Sequence, residues 1–261
     1  MQKENWTVIE LERQGDVAVV TLNNPPLNVL TDELLNQLAE AINDLNQQPG
    51  IRVAVLRAVG EKAFAAGADI RQFPKLTQES GIALVEKGKK IFDKIENGKP
   101  VICAVHGLAL GAGLELVLAC DIRIIEETAK LGLPETGLGI LPGYGGTQRL
   151  ARLVGPGKAK ELILSGESLS GRQAYEARLA EKLVPTGQAF DSAMKLARSI
   201  ASKAPLAVAN AKRAIDEGLE LSLVAGQALE TQLFSELIGT QDMQEGVKAF
   251  TEKRIADFQG K

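Results

Sequence analysis

Val101-Ile-Cys-Ala-Val-His-Gly-Leu-Ala-Leu-Gly-Ala-Gly-Leu-Glu-Leu-Val-Leu-Ala-Cys120 is an apolar run interrupted only by His106, Glu115 and three glycines. It has the length of a membrane span. As a span, however, it would set Glu115 deep in hydrocarbon at a cost of about 2.5–3.5 kcal/mol and leave Gly107, Gly111 and Gly113 without a purpose. A buried strand over Val101–Val105, a glycine turn and a buried helix carrying Glu115 account for the same residues. Upstream the pattern repeats. Asp16–Leu22 is β-branched and strand-like, and Asn23–Asn28 is a turn cluster whose two prolines cannot donate to a ladder. Thr31–Gln47 places Leu34, Leu38, Ile42 and Leu45 on one helical face and is stopped by Pro49-Gly50. Val53–Val59 is the next strand, Gly60–Gly67 a small-residue loop, and roughly Gln78–Asn97 a further helix. Strands alternating with helices in this way predict an α/β layer architecture.

The composition narrows the field. The chain has 261 residues, 45% hydrophobic and 24% charged, enough for a substantial core. Thirty Lys and Arg against 33 Asp and Glu give a net charge of −3, unlike a protein built to coat nucleic acid or an anionic membrane. Two cysteines do not make a disulfide scaffold, and one His with two Cys cannot form a Cys/His zinc site unaided. The opening Met-Gln-Lys-Glu-Asn-Trp has no apolar segment of the signal-peptide kind. The expectation is a soluble, cytoplasmic protein without metal, nucleic acid or membrane among its partners. After Ser165 the texture becomes helical, with turns at Ser165–Gly171 and Pro185–Gly187. Past a break at Ala204-Pro205 come helical patterns over Pro205–Glu217, Leu219–Ile238 and Asp242–Phe258. This divides the chain into an α/β core, 1–203, and a helical region, 204–261.

Several familiar motifs fail. Gly111-Ala-Gly113 begins like a dinucleotide fingerprint, but Leu116 stands where the third glycine should be. Gly166-Glu-Ser-Leu-Ser170 ends in Ser where a nucleophile elbow needs Gly, and Gly157-Lys158 lacks the rest of a phosphate loop. Two carboxylates in apolar company remain. Glu115 opens an apolar helix, and Glu135 comes after Pro134 in Leu131-Gly-Leu-Pro-Glu135. Glu115 either reaches an Arg or the surface, or is buried for chemistry; Glu135 either caps a turn or joins it. Buried together, they suit general acid–base catalysis, because burial separates proton affinities. The unbonded amides at the start of the Glu115 helix could stabilise an oxyanion beside them. His106, in an apolar strand, reads as structural, and the lysines of Glu86–Lys99, interleaved with acids, read as a solvated helix face.

His106-Gly-Leu-Ala-Leu-Gly-Ala-Gly-Leu-Glu115, Leu131-Gly-Leu-Pro-Glu135 and Leu141-Pro-Gly-Tyr-Gly-Gly-Thr-Gln-Arg-Leu150 together resemble the crotonase (enoyl-CoA hydratase/isomerase) superfamily. Phe64-Ala-Ala-Gly-Ala-Asp-Ile70 and Gly246-Val-Lys-Ala-Phe-Thr-Glu-Lys-Arg254 add to the match, which runs in order from about Val17 to Phe258. The resemblance implies a crotonase-like spiral of ββα units with a C-terminal helical trimerisation region, assembled as a homotrimer or as a hexamer of two trimers. It implies an acyl-CoA thioester substrate, no separate cofactor, and an oxyanion hole made by the backbone N–H groups of Ala68 and Ala112. Glu115 and Glu135 match the glutamate pair of hydratases, Glu115 as base toward the attacking water and Glu135 as acid toward C2. The Gly143 N–H matches a donor that helps hold that water. Lys62, Ala66, Ala68, Asp69, Ile70 and Arg71 match positions around CoA, and Lys253 one that reaches a neighbouring subunit's CoA. Many hydratases have three glycines where this chain has Gly111-Ala-Gly113, and Asn24-Pro-Pro-Leu-Asn28 is a residue shorter than the common turn. The implied activity is hydration of 2-trans-enoyl-CoA to 3-hydroxyacyl-CoA. The alternatives are Δ3,Δ2-enoyl-CoA isomerisation, which generally needs only the second glutamate, and an RNA-binding or scaffolding role that keeps the fold.

Overall fold

The computed structural model describes residues 5–261, so residues 1–4 of the N-terminal segment lie outside the described residues. β1 (Ile9–Gln14) pairs antiparallel with β2 (Val17–Leu22), whose six side chains are all buried. α1 (Asp32–Gln47) starts where the Thr31 hydroxyl accepts the Leu34 N–H and Asp32 and Glu33 face the positive helix end. Its stripe of Leu34, Leu38, Ile42 and Leu45 enters the core. Next in the chain are β3 (Val53–Ala58), β4 (Ala63–Ala66), α2 (Gln78–Glu96), β5 (Val101–Val105), β6 (Leu108–Leu110) and α3 (Ala112–Leu118). Then come β7 (Ile122–Glu126), β8 (Lys130–Gly132), α4 (Gly146–Val154), α5 (Pro156–Ser165), β9 (Ser168–Ser170), α6 (Gly171–Glu176), β10 (Lys182–Val184) and α7 (Ala189–Ala201).

The topology is a spiral. β3, β5 and β7 are parallel neighbours in a sheet ordered β1-β2-β3-β5-β7-β10. β4, β6 and β8 are parallel neighbours in a second sheet ordered β4-β6-β8-β9. Each pass of the chain therefore lays one strand in the first sheet and the next in the second, and the following pass lands alongside. The central strands of the first sheet are covered on both faces, which is why their sequences are continuous apolar runs instead of alternating ones. The Val101–Cys120 stretch resolves into β5, β6 and α3, and among the described residues no helix is long and apolar enough to cross a membrane.

Two compact units divide the backbone, one ending at Ala197 and the other Arg198–Lys261. The second contains the last turn of α7 and then α8 (Pro205–Gly218), α9 (Leu223–Leu237) and α10 (Gln241–Glu252). α8 and α9 pack together, with the Asn210 amide donating to the Leu233 carbonyl at 2.9 Å.

Five expectations need correction. The glycine turn expected after Val105 contains β6. The loop expected over Gly60–Gly67 contains β4, and the turn expected at Ser165–Gly171 contains β9; strands of three or four residues show no usable alternation. α9 begins at Leu223 instead of Leu219, because the Ser222 hydroxyl caps it by accepting the Ala225 N–H. α10 ends at Glu252 instead of Phe258: Lys253 turns left-handed at φ 55°, and the chain beyond it folds back. There the Gln259 and Gly260 amides donate to the buried Asp242 carboxylate at 2.7 and 2.8 Å.

Candidate active site

Three parallel strands of the second sheet end side by side, and the segments leaving their carboxyl ends build the site. β4 leads into Gly67-Ala68-Asp69, β6 into Gly111-Ala112, and β8 through Leu133-Pro134 to Glu135. The carboxyl end of a parallel sheet is where an α/β architecture leaves a crevice. Here a cavity of about 720 Å³ opens, lined by Ala66, Ala68, Asp69, Ile70, Arg71, Ala112, Glu115, Glu135 and Gly143 among others. Of the residues expected around CoA, Ala66, Ala68, Asp69, Ile70 and Arg71 line this cavity, whereas the exposed Lys62 and Lys253 do not. Lys62 lends its carbonyl to the Leu108 N–H, and Lys253 ends α10 in the other unit. The Arg71 guanidinium, 83% exposed, is held by the Asp69 carboxylate in a two-point contact with both N···O distances at 2.7 Å.

The backbone of the oxyanion candidates is firmly set. Gly111 has φ 54°, a value that disfavours any side chain, and its N–H donates to the Gly132 carbonyl at 2.9 Å. Ala112 is the first residue of α3, in ordinary helical conformation, so its methyl group is tolerated and its N–H is one of the helix's unpaired first amides. Ala68 is placed by the Leu30–Ala68 bridge, in which the Leu30 N–H bonds the Gly67 carbonyl. The preceding turn is anchored by Asn28, fully buried at φ 48°, whose amide donates to the Val59 and Ala63 carbonyls at 2.9 and 2.8 Å. Neither the Ala68 nor the Ala112 amide donates to a protein group among the described residues.

Glu115 is 2% exposed and, among the described residues, has no ion pair with an arginine. Instead its Oε1 accepts the backbone N–H groups of Tyr144 and Gly146 at 2.7 and 2.8 Å. Burial pushes its carboxyl up to about 7; the Gly146 and Tyr144 amides and Arg149 pull the other way, and the charge of Glu135 adds to the rise. Glu135 is 9% exposed, and burial raises its carboxyl as well. It stands at the head of a 3-10 turn, Glu135–Leu138; its Oε1 lies beside Gly111, and its Oε2 is buried without a partner among the described residues. Both glutamates thus face one cavity with shifted proton affinities. Among the described residues, no other buried carboxylates line it.

Sequence reasoning misses the Tyr144 and Gly146 amides as partners of Glu115. Their signal is the run Gly143-Tyr-Gly-Gly146 just before a helical pattern, where the first amides lack intrahelical acceptors. It also misses the apolar wall residues Leu84 and Val85 of α2, with Leu138, Ile140 and Leu141 beyond Glu135. His106 is not among the cavity-lining residues; burial lowers its proton affinity.

Residues 12–261 match the protein family described as Enoyl-CoA hydratase/isomerase. A short-chain-enoyl-CoA hydratase of Clostridium acetobutylicum is 40% identical over 246 residues, covering 94% of this chain and 94% of that protein. A crotonyl-CoA hydratase of Syntrophomonas wolfei is 40% identical over 252 residues, covering 96% and 97%. Among solved structures, an enoyl-CoA hydratase from Bacillus anthracis superposes with a TM-score of 0.94 at 40% identity, covering 98% of this chain and 100% of that one.

Proposed function

This chain belongs to the enoyl-CoA hydratase/isomerase family, and from that premise we propose that it adds water across the double bond of 2-trans-enoyl-CoA to give 3-hydroxyacyl-CoA. The observation that carries this reading is the pair of buried glutamates on one cavity, Glu115 locked by two amides and Glu135 with one oxygen that has no partner among the described residues. A single-glutamate isomerisation has no need of the first.

In this mechanism the thioester oxygen accepts the Ala68 and Ala112 N–H groups, which favour the enolate. Losing one such preorganised donor costs about 3–4 kcal/mol of transition-state stabilisation. The coupled pair shares a proton, and in the reacting form it sits on Glu135, so that ionised Glu115 takes a proton from water as the water oxygen bonds C3. The C2–C3 π electrons move toward the thioester oxygen, and neutral Glu135 delivers a proton to C2. Water then returns both groups to their starting states by proton exchange. Gly143, at the cavity wall, helps hold the water. The interaction of two glutamates on one water makes the apparent proton affinities those of the pair. Asp69, Ile70 and Arg71 serve the CoA moiety at the rim, Lys62 serves it from outside the cavity lining, and Lys253 serves that of a neighbouring subunit.

The protein works without metal or separate cofactor, in the cytoplasm, as homotrimers able to pair into a hexamer. The exposed apolar side chains of the Arg198–Lys261 unit support association: Leu223, Val224, Phe234 and Phe250 all face outward in the chain taken alone.

The test is the loss of conjugated enoyl-thioester absorbance with crotonyl-CoA and longer 2-enoyl-CoAs, in EDTA-treated buffer. Hydration supports the reading. Activity solely on 3-enoyl-CoA, seen as a gain of that absorbance, would make the protein an isomerase. Salt-sensitive retention of a short RNA with neither activity would favour the scaffolding role.

A further inference from the structure

Glu115 depends on two amides that flank a single residue, Gly145, and something must keep that turn from relaxing. Gly145 has φ 105°, and a Cβ there would lie 2.3 Å from Nη1 of Arg149, so the guanidinium is packed directly against the turn. Arg149 Nη1 donates to the Tyr144 carbonyl at 2.9 Å, which fixes the peptide plane between the two amide-bearing residues. The rest of the guanidinium is tied to α2: Nη2 donates to Asp93 at 2.9 Å and to Glu96 at 2.6 Å, and Nε donates to Glu96 at 3.1 Å. The side chain is only 14% exposed. Burial disfavours its charge, but Glu96 and Asp93 more than offset this and hold it ionised. α2 also carries Leu84 and Val85 on the cavity wall, so one side chain joins the wall, the turn and the start of α4.

The geometry points to Arg149 as a positioning residue that locks the Tyr144–Gly146 turn so that its amides converge on one oxygen of Glu115. It does not touch the cavity, and it acts on the reaction through Glu115 alone; the inference rests on the hydratase reading above.

The ionisable groups facing Glu115 are Glu135, the Tyr144 phenol and Arg149; β4 and β6, which pack on α3, contribute none. Loss of Arg149 removes a positive charge and loosens two hydrogen bonds, all of which favour the carboxylate, so the Glu115 carboxyl moves upward. Glu96→Gln does the reverse. The amide oxygen still accepts from the guanidinium, but a negative charge that compensates Arg149 is gone, so the Glu115 carboxyl moves downward.

The experiment is kcat/KM against pH with crotonyl-CoA for wild type, Arg149→Gln and Glu96→Gln, with circular dichroism to confirm folding. Arg149→Gln is expected to lose at least about tenfold in kcat/KM at pH 7, with KM little changed. Its ascending limb should shift upward by about half a pH unit or more, and that of Glu96→Gln downward. A purely structural arginine would lower the curve without moving the limb, and a limb coincident with wild type overturns the role. Should Arg149→Gln fail to fold, Glu96→Gln decides: a limb that stays or moves upward overturns it. A wild type inactive on every 2-enoyl-CoA overturns both this inference and the hydratase reading, whereas an active wild type with unmoved limbs overturns only Arg149.

Discussion

At Glu115 the fold accepts a cost to stability in burying a carboxyl on the cavity. A carboxyl raised from 4.5 to about 7 by burial is neutral in the folded state over a range where the unfolded chain has already ionised. Its contribution to stability is therefore fully present below pH 4.5 and is lost as pH rises through about 7. By pH 8 the ionised carboxylate costs the folded protein about 3 kcal/mol. Glu115→Gln, whose amide oxygen can still accept the Tyr144 and Gly146 N–H groups, should accordingly be the more stable protein at pH 8. The gain should vanish near pH 4.5; denaturant unfolding at the two pH values measures it, and equal stabilities at pH 8 would contradict the assignment. The same substitution, and Glu135→Gln, should each lower hydration at least about 100-fold while acyl-CoA binding survives, since proton-transfer groups act on the transition state. A variant keeping half the wild-type rate would remove its glutamate from the mechanism. Glu115 is legible as a carboxylate in apolar company from its neighbours on α3, while its burial without an arginine partner among the described residues is decided by the fold. Its hydrogen-bond partners are not legible either, because they are backbone groups about thirty residues away in the chain.

At the level of elements, α2 shapes the site through a missing side chain. A Cβ on Gly88 would lie 2.4 Å from the Tyr144 ring, which also packs edge-on against Phe92 with centroids 5.5 Å apart. Gly88→Ala gains about 1 kcal/mol of helix propensity. It must also displace the ring, an overpacking cost of about 1–3 kcal/mol. The net change in stability should be small, but the ring belongs to the residue whose N–H holds Glu115. We expect kcat/KM to fall at least about tenfold with little loss of thermal stability, because small misplacements of catalytic groups are costly. Wild-type kcat/KM in this variant would show that ring and amide move independently. The long elements are readable because α1, α2, β3 and β5 carry strong periodic or continuous apolar patterns. β4, β6 and β9 are not, since strands this short owe their existence to ladder bonds with neighbours distant in sequence.

For the whole molecule, the Arg198–Lys261 unit leaves unusual apolar area in the open, with Phe250 88% exposed. Isolated proteins rarely present such a surface, and closed symmetric association is its common use. Sedimentation velocity should find the wild type as a trimer or hexamer, and Phe234→Asp with Phe250→Asp should shift it to smaller species. A stable, active wild-type monomer would refute the assembly.

The sequence by itself determined the α/β class, the breaking of the Val101–Cys120 stretch into strand and helix around its glycines, and the placing of Glu115 and Glu135 in apolar company; all of these depend on local composition and spacing. Only the tertiary structure decided that Glu115 and Glu135 face one cavity, that Tyr144 and Gly146 grip the first of them, and that Arg149 braces their turn against α2. Those relations join segments far apart in the chain, as Arg149 and Glu96 are at a separation of 53 residues. They arise because the spiral brings the ends of β4, β6 and β8 side by side, and no local pattern in a chain encodes which of its distant backbone amides will meet a carboxylate.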